Sequence, residues 1–396
     1  MSITQIFNTT GEAPYPKILP TLDLNFANSK TIDPRIAFTR GSGGTYVDAD
    51  GLIKYAGINE ARFDHDPSTG ESLGLLMEEA RTNGETQSTT LSNYTANAVS
   101  ITSQTVTAPD GSLTAKLITE DTSTGNHSIG RFYDNNYTDL AFSFFVKANG
   151  RTRIHLNLEA GDTGTPQFTF DLSAGTATGG GTIQAFTNGW YRVAGTISFR
   201  TSVAILLADN SNNRSYTGDG TSGVYIWGIQ FEKSAGNTFP TSYIPASGSV
   251  VTRSADVASI TGTNFSSWYN QSEGTAYFHS KFQDSIDATP SIVFGGYWWA
   301  TNPNNWRTSS NGSMMNTAAS RTTSTKHAFG LQSNNHAVSI NGATAVVAAT
   351  NNSQSPSGST FSLNDNAQGV FLCGTIARLT YYPTRLPDAT LKKITQ

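Results

Sequence analysis

The sequence predicts an all-β protein: an N-terminal arm and hairpin-rich segment, then two β-sandwich (jelly-roll) domains, then one short C-terminal helix. Three observations carry that expectation. Short apolar runs alternate with polar residues and are broken by Gly, Asn or Asp about every 8–12 residues, the spacing of an all-β sandwich. Charged residues are only 14% of the 396, against about 25% in ordinary domains, too few to coat helices, whereas Ser, Thr, Asn and Gly suit exposed strands. A helical pattern shows only at the end, where Pro387-Asp388 opens a run closing on Lys392-Lys393, with acid early and base late as a helix dipole favours.

Taken in order, residues 1–20 hold Pro14, Pro16 and Pro20 with little periodicity and read as an extended arm. Residues 21–85 are turn-rich. Thr45–Tyr55 reads as two short strands joined at Asp50-Gly51, a strong hairpin signal. Leu73-Gly74-Leu75-Leu76-Met77 reads as a short buried strand. In residues 86–250 strands are expected at Ala141–Lys147, Arg153–Leu158, Gln167–Asp171, from Trp190, at Val203–Leu207 and at Val224–Glu232. In the last, simple alternation puts Tyr225, Trp227, Ile229 and Phe231 on one face and Gln230 and Glu232 on the other. Residues 251–396 offer Thr275–Phe282, Ser291–Trp299, His327–Leu331, His336–Ile340, Ala343–Ala348 and Gly369–Tyr382, with a tight turn at Asn341-Gly342. The division is therefore 1–85, 86–250 and 251–396.

Composition also excludes functions. Net charge is −4, with no basic cluster longer than Lys392-Lys393, so nucleic acid is not an expected partner. No apolar run reaches the ~18 residues of a membrane span. Cys373 is the only cysteine, which suits folding in a reducing cytoplasm. The start lacks a basic and apolar leader, so no secretory signal is expected.

Candidate chemistry is sparse. Glu78 and Glu79 are adjacent, and neighbours on a strand point to opposite faces, so they cannot flank one glycosidic bond. Asp48, Asp50, Asp64 and Asp66 have a spacing that could gather a cation, but Asx turns explain them as well. His65, His127, His155, His279, His327 and His336 show no close ligand spacing. No catalytic residue, metal or cofactor is assigned, and the chain is read as a non-enzyme. Tyr297-Trp298-Trp299 with Asn304, Asn305 and Trp306 is the one cluster suited to sugars, since pyranose faces stack on aromatic rings while amides hold hydroxyls. Trp298 and Trp299 cannot both face the core of one strand. A glycan platform, a subunit interface and a capped rim of the sandwich all remain open there.

Three sets of residues carry a resemblance. Leu22–Ala27, Asp33-Pro34-Arg35-Ile36-Ala37-Phe38-Thr39-Arg40, the Thr45–Gly51 hairpin, Glu60–Pro67 and Gly74–Asn83 resemble a segment that recurs in tailed-phage virion structural proteins. Asn188–Val193, Ile229–Glu232, Thr241–Pro245 and Val251–Asp256 resemble the closing strands of a carbohydrate-binding-module-like jelly roll. Ser339–Gly342, Gly374–Pro383 and Arg385–Leu391 resemble a concanavalin A-like lectin fold. The departure is Gly84-Glu85-Thr86-Gln87-Ser88, polar where relatives continue with apolar residues, so a looser junction is expected there. The resemblance implies a fibre, spike or head-decoration protein of the virion, assembled in the host cytoplasm. Residues 1–85 would mount it on capsid, portal, tail or fibre subunits, and the protomers would form a homo-oligomer, a trimer being the expectation. Its possible ligand is host-surface polysaccharide. Purely structural decoration is the alternative, and a polysaccharide depolymerase the second alternative.

Overall fold

The computed structural model describes residues 18–103, 106–157, 167–233, 239–283, 291–294, 297–302, 305–310, 313–318, 323–347, 358–363 and 372–396; at 133–139, 197–201 and 291–318 only the backbone is described. The arm expected at 1–20 therefore lies outside the described residues up to 17. Among the described residues the regular secondary structure is nearly all strand, in antiparallel sheets, with short helical turns and the C-terminal helix Asp388–Ile394. No described helix is long and apolar enough to cross a membrane.

The C-terminal sandwich has two sheets. One runs Val346–Val347, Ala337–Ile340, Thr325–Gln332, Glu273–Phe282, Gly374–Tyr382, Ser72–Met77, Phe63–His65, with Leu22–Leu24 also paired to Gly374–Tyr382. The other runs Ala37–Thr39, Val257–Thr261, Thr360–Leu363, Ser291–Phe294, Tyr297–Asn302, Asn305–Ser310, Ser313–Ala318. Segment 21–85 thus supplies strands to both sheets of the unit made by residues 251–396. Its Leu22, Leu24, Phe26, Leu75 and Met77 share one core with Ile260, Phe278, Phe361, Leu379 and Tyr381. Apolar residues at every second position of paired strands force this arrangement, because their inward faces must be covered together.

Local geometry explains how the early strand reaches the late one. Leu75, Leu76 and Met77 pair with Ile376, Thr375 and Gly374. Just before them Gly74 has φ +92, and a Cβ there would lie 2.2 Å from the Ile376 carbonyl oxygen. Only glycine allows that approach.

The jelly roll is built on one large antiparallel sheet, which Arg81–Asn83 and Val251–Arg253 also join, with Thr124–Asn126 and Ser215–Thr217 forming a separate two-stranded sheet. Two long strands, Ser128–Asn149 and Trp190–Ala208, change partners along their length. The strands expected separately from Trp190 and at Val203–Leu207 are the two ends of this single strand. Its first end pairs with Thr182–Ala185 and its second with Arg153–Asn157. In this way one continuous strand serves two layers.

Simple alternation fails in Gly223–Lys233. A bulge at Gly228, φ +64, shifts the register between the Ser143 and Phe145 pairings. A bulge reverses the faces beyond it. Trp227 therefore joins Phe145, Trp190, Tyr243 and Ile53 in one cluster, while Ile229 and Phe231 join Val224 and Ile226 in the main jelly-roll core. Gln230 and Glu232 are fully buried as well. Trp190 and Trp227 are core residues, as their positions imply, and each indole N–H donates to the 107–114 loop, to the Thr107 carbonyl and the Thr114 hydroxyl.

Two further expectations are corrected. Ser291–Trp299 is two strands, Ser291–Phe294 and Tyr297–Asn302, paired to each other. The junction at residues 84–88 is not loose: Glu85 is fully buried and paired with Arg131, the Gly84 N–H donates to the Phe231 carbonyl at 2.7 Å, and the Ser88 hydroxyl hydrogen-bonds the Tyr243 hydroxyl and the Ala246 carbonyl. Glu85 and Ser88 are accommodated there because each meets polar partners of its own.

Candidate functional site

The polar centre of the molecule lies where the early segment, the jelly roll and the C-terminal sandwich meet. Glu78 and Glu79 leave the end of Ser72–Met77 in different directions. Glu78 accepts from Arg62 at 2.6 Å, from the Ser242 N–H at 2.6 Å and from the Ser242 hydroxyl at 2.7 Å, and pairs with Arg253 at 3.0 Å. Glu79 pairs with Arg81. Asp256 holds Arg40 at 3.1 Å, also pairs with Arg62, and accepts from the Glu78 N–H at 2.8 Å. Arg40, Arg62, Arg253 and Asp256 are essentially without exposure. Interior charge is tolerable only when so matched. Burial pushes the Glu78 carboxyl up, but Arg253, Arg62 and the Ser242 donors outweigh it and bring it down to about 2.

The four aspartates part ways. Asp48 closes its hairpin turn by accepting from the N–H groups of Asp50 and Leu52. Asp66 accepts from Ser68 and Thr69 in the next turn. Among the described residues no three His, Cys, Asp or Glu side chains stand together as a metal site. Asp64 alone turns inward and accepts from the Val47 N–H at 2.7 Å. Burial pushes its carboxyl up to about 6, and the Val47 donor and Arg62 only partly oppose it.

Asp64 opens onto a cleft of about 160 Å³ between the three segments. Gln184, Lys281 and Gln283 are exposed at its rim, and Phe145, Glu78 and Arg192 line its depth. Arg192 comes from the long strand Trp190–Ala208. Its Nη2 donates to the Ser143 hydroxyl at 2.9 Å and the Thr241 carbonyl at 2.6 Å, and its guanidinium lies 5.7 Å from the Phe145 ring centre. Burial lowers its pKa, against the pull of Glu232, Glu78 and Asp64. Arg192 and Asp64 are deep in the molecule yet keep some accessible surface, because the surface they keep is the cleft's. No carboxylate of the described residues lies within 4 Å of Arg192, whereas Glu78 and Glu232 already have partners. Sequence reasoning passed over Arg192. Its signal was a charged residue between apolar positions in Trp190-Tyr191-Arg192-Val193.

The aromatic cluster read from the sequence stands elsewhere, in the second sheet of the C-terminal sandwich. Asn304 and the side chains of Tyr297, Trp298, Trp299, Asn305 and Trp306 lie outside what the structure describes. Backbone register still orders their positions. Tyr297 and Trp299 pair with Phe294 and Ile292, which pair in turn with the buried Phe361 and Leu363. Trp306 pairs with Thr301, at the same parity. Trp298 pairs with Val293 and so takes the parity of Ser362; Asn305 pairs with Asn302 at that same parity. The strand pairing therefore separates Trp298 and Asn305 from Tyr297, Trp299 and Trp306.

The class these features define is an all-β chain of sandwich domains locked by a buried ion-pair lattice. Comparison with known proteins adds little to that. The sequence matches no protein-family model, and no curated protein matches it. Among solved structures, similarity is found to the CBM40 module of the Ruminococcus gnavus IT-sialidase bound to α2,3-sialyllactose (13% identity, 34% of this chain and 88% of that one, TM-score 0.27). Trypanosoma rangeli sialidase in complex with the inhibitor DANA aligns at 10% identity over 71% of this chain and 60% of that one, TM-score 0.28. The N-terminal CBM22-1–CBM22-2 tandem domain of Paenibacillus barcinonensis Xyn10C aligns at 11% over 79% and 94%, TM-score 0.25. At such scores the alignments decide neither fold nor function, and the fold rests on the chain's own strand pairing.

Proposed function

We propose that the chain is a virion appendage protein of a tailed phage, a fibre, spike or head decoration that presents two β-sandwiches outward and attaches to host-surface polysaccharide. The observation that carries this reading is where the residues of the resemblance meet. Arg40, Arg62, Glu78, Arg253 and Asp256 all belong to the quoted motifs, and Arg40 and Asp256 are 216 positions apart. They converge in one buried lattice that joins the mounting segment to both sandwiches. A part that projects from a particle must transmit load between its base and its outer domains, and a lattice of buried, interlocking ion pairs gives such a joint a single geometry. The carboxylates of this lattice are occupied by arginines, which suits a binding and structural protein rather than a glycosidase, whose carboxyl pair must face the substrate roughly 5–9.5 Å apart.

In this reading residues 1–20 contact neighbouring virion subunits and promote homotrimer formation. Particles assembled with protein lacking residues 1–20 are expected to lose it while the soluble truncated protein still folds; normal incorporation would remove the mounting role. Attachment is tested on host cells or a glycan array. In this reading Trp298, in register with Ser362 and not with the buried Phe361 and Leu363, contacts the glycan, so Trp298→Ala is expected to weaken binding without loss of stability, and Trp299→Ala to lower stability first. Unchanged binding by Trp298→Ala together with Asn305→Ala would leave the purely structural reading.

A further inference from the structure

We propose that the cleft between the jelly roll and the C-terminal sandwich binds the carboxylate of an acidic saccharide, with Arg192 as its anion-recognising group. The occupant's being a saccharide rests on the attachment reading; the anion site itself rests on the cleft. Arg192 is a guanidinium deep in the molecule with no carboxylate within ion-pair distance among the described residues. Its Nη2 is fixed by Ser143 and Thr241 and its plane is supported by Phe145. Most buried arginines here are spent on carboxylates, as Arg40, Arg62 and Arg253 are. The Arg192 Nε is buried with no hydrogen-bond partner among the described residues, and a pre-positioned guanidinium with donor capacity left over is the usual receptor for a planar anion.

The rest of the cleft fits a sugar better than a bare ion. Its volume of about 160 Å³ is several times the roughly 30 Å³ share of one liquid water, room for a carboxylate and part of a ring. Phe145 and Phe186 supply apolar wall, and Gln184 and Gln283 at the rim can bond hydroxyls. Charge decides against a cation or a neutral ligand. The ionisable groups on the cleft are Arg192 and Tyr243 from the jelly roll, the Tyr243 phenol pushed up by burial and neutral, Lys281 from the C-terminal sandwich, and Asp64, Glu78, His65 and Tyr46 from the early segment, with Cys373 beside them. Glu78 is neutralised by Arg62 and Arg253, and the Tyr46 phenol and Cys373 thiol are pushed up and stay neutral. Asp64 is the negative charge left facing Arg192. Burial makes it give up that charge near pH 6, so anion binding should strengthen as pH falls through that value.

The test is an NMR titration of the full-length protein with sodium D-glucuronate at pH 5.5 and 7.5, against D-glucose and sodium acetate. Glucuronate is expected to bind at least tenfold more tightly than either control, and more tightly at pH 5.5. Arg192→Gln should lose tenfold or more, with its fold checked by circular dichroism. Asp64→Asn, which retains the oxygen that accepts from Val47, should bind several-fold more tightly than the parent at pH 7.5. pH dependence that persists in Asp64→Asn would overturn the role given to Asp64. Absent glucuronate binding, or equal binding in Arg192→Gln, overturns the site; acetate binding as well as glucuronate overturns the saccharide. None of these results depends on particle incorporation or cell attachment, so this site and the appendage role fail separately.

Discussion

Arg62 and Asp256, 194 positions apart in the chain, form an ion pair with neither side chain exposed. Around it Arg40 binds the other oxygen of Asp256, and Glu78 binds the other side of Arg62. Each charge has two or more partners, so the pair acts as the centre of a lattice rather than as an isolated bridge.

Asp256→Ala should therefore be severe. It leaves Arg40 without its carboxylate partner and removes the acceptor for the Glu78 N–H. Removing one member of a buried pair costs about 3–5 kcal/mol. Urea denaturation should show a lower midpoint in signals from both sandwiches; a shift confined to one would mean that the lattice does not couple them.

Asp64 and Glu78 should make stability depend on pH with opposite signs. The Asp64 carboxyl is raised from 3.8 to about 6 in the fold, so folding favours its protonated form. Its contribution is fully present below about pH 4 and is lost as pH rises to about 6. Asp64→Asn should then be more stable than the parent at pH 8, by up to about 3 kcal/mol at 1.36 kcal/mol per pKa unit, and equal to it at pH 3.5. The Glu78 carboxyl is lowered from 4.5 to about 2. Its stabilisation is full above about pH 4.5 and disappears toward pH 2, so Glu78→Gln should be less stable than the parent at pH 7. Denaturant titrations at pH 3.5, 7 and 8 check both signs.

Gly74→Ala should disrupt the strand that ties the early segment to the late one. The new Cβ would collide with the Ile376 carbonyl at a backbone φ of +92, an expected loss of about 2–4 kcal/mol. Gly111→Ala is the control. Its φ is +84 but nothing lies within 4 Å, so only conformational strain remains, about 1 kcal/mol. Equal thermal shifts in the two variants would contradict the close approach at Gly74.

Leu22→Ala with Leu24→Ala should weaken the C-terminal sandwich, not merely fray the N-terminus. Both side chains are nearly fully buried in its core, and Asp23 between them pairs with Arg378 and accepts from the Thr380 hydroxyl. Each buried Leu→Ala costs about 2–5 kcal/mol. Hydrogen exchange should rise at Leu379–Tyr381, the residues opposite in the register; protection unchanged there would show that the early strand is dispensable.

Much of the fold was legible where one stretch of chain specifies its own geometry. Asp50-Gly51 marked a turn because Gly51 adopts φ +74 and Asp48 can cap it. Asn341-Gly342 marked another, with both residues at positive φ. Trp190 and Trp227 announced themselves as core, and Pro387-Asp388 opened the helix whose Leu391 is buried. The candidate site was far less legible. Arg192 and Asp64 are ordinary polar residues in their own strands and become a cleft only when three segments close around them.

The sequence by itself determined the class of structure, the turns and the helix, because backbone preference and short-range alternation act within a few residues. Only the tertiary structure decided that residues 22–24 pair with 379–381, that a bulge at Gly228 sends Trp227 and Ile229 to different cores, and that Glu232 and Asp256 are interior. Those outcomes turn on which strands become neighbours, and strand pairing joins residues hundreds of positions apart. A charged residue is exposed or buried according to the partner it meets there, and no local pattern names that partner.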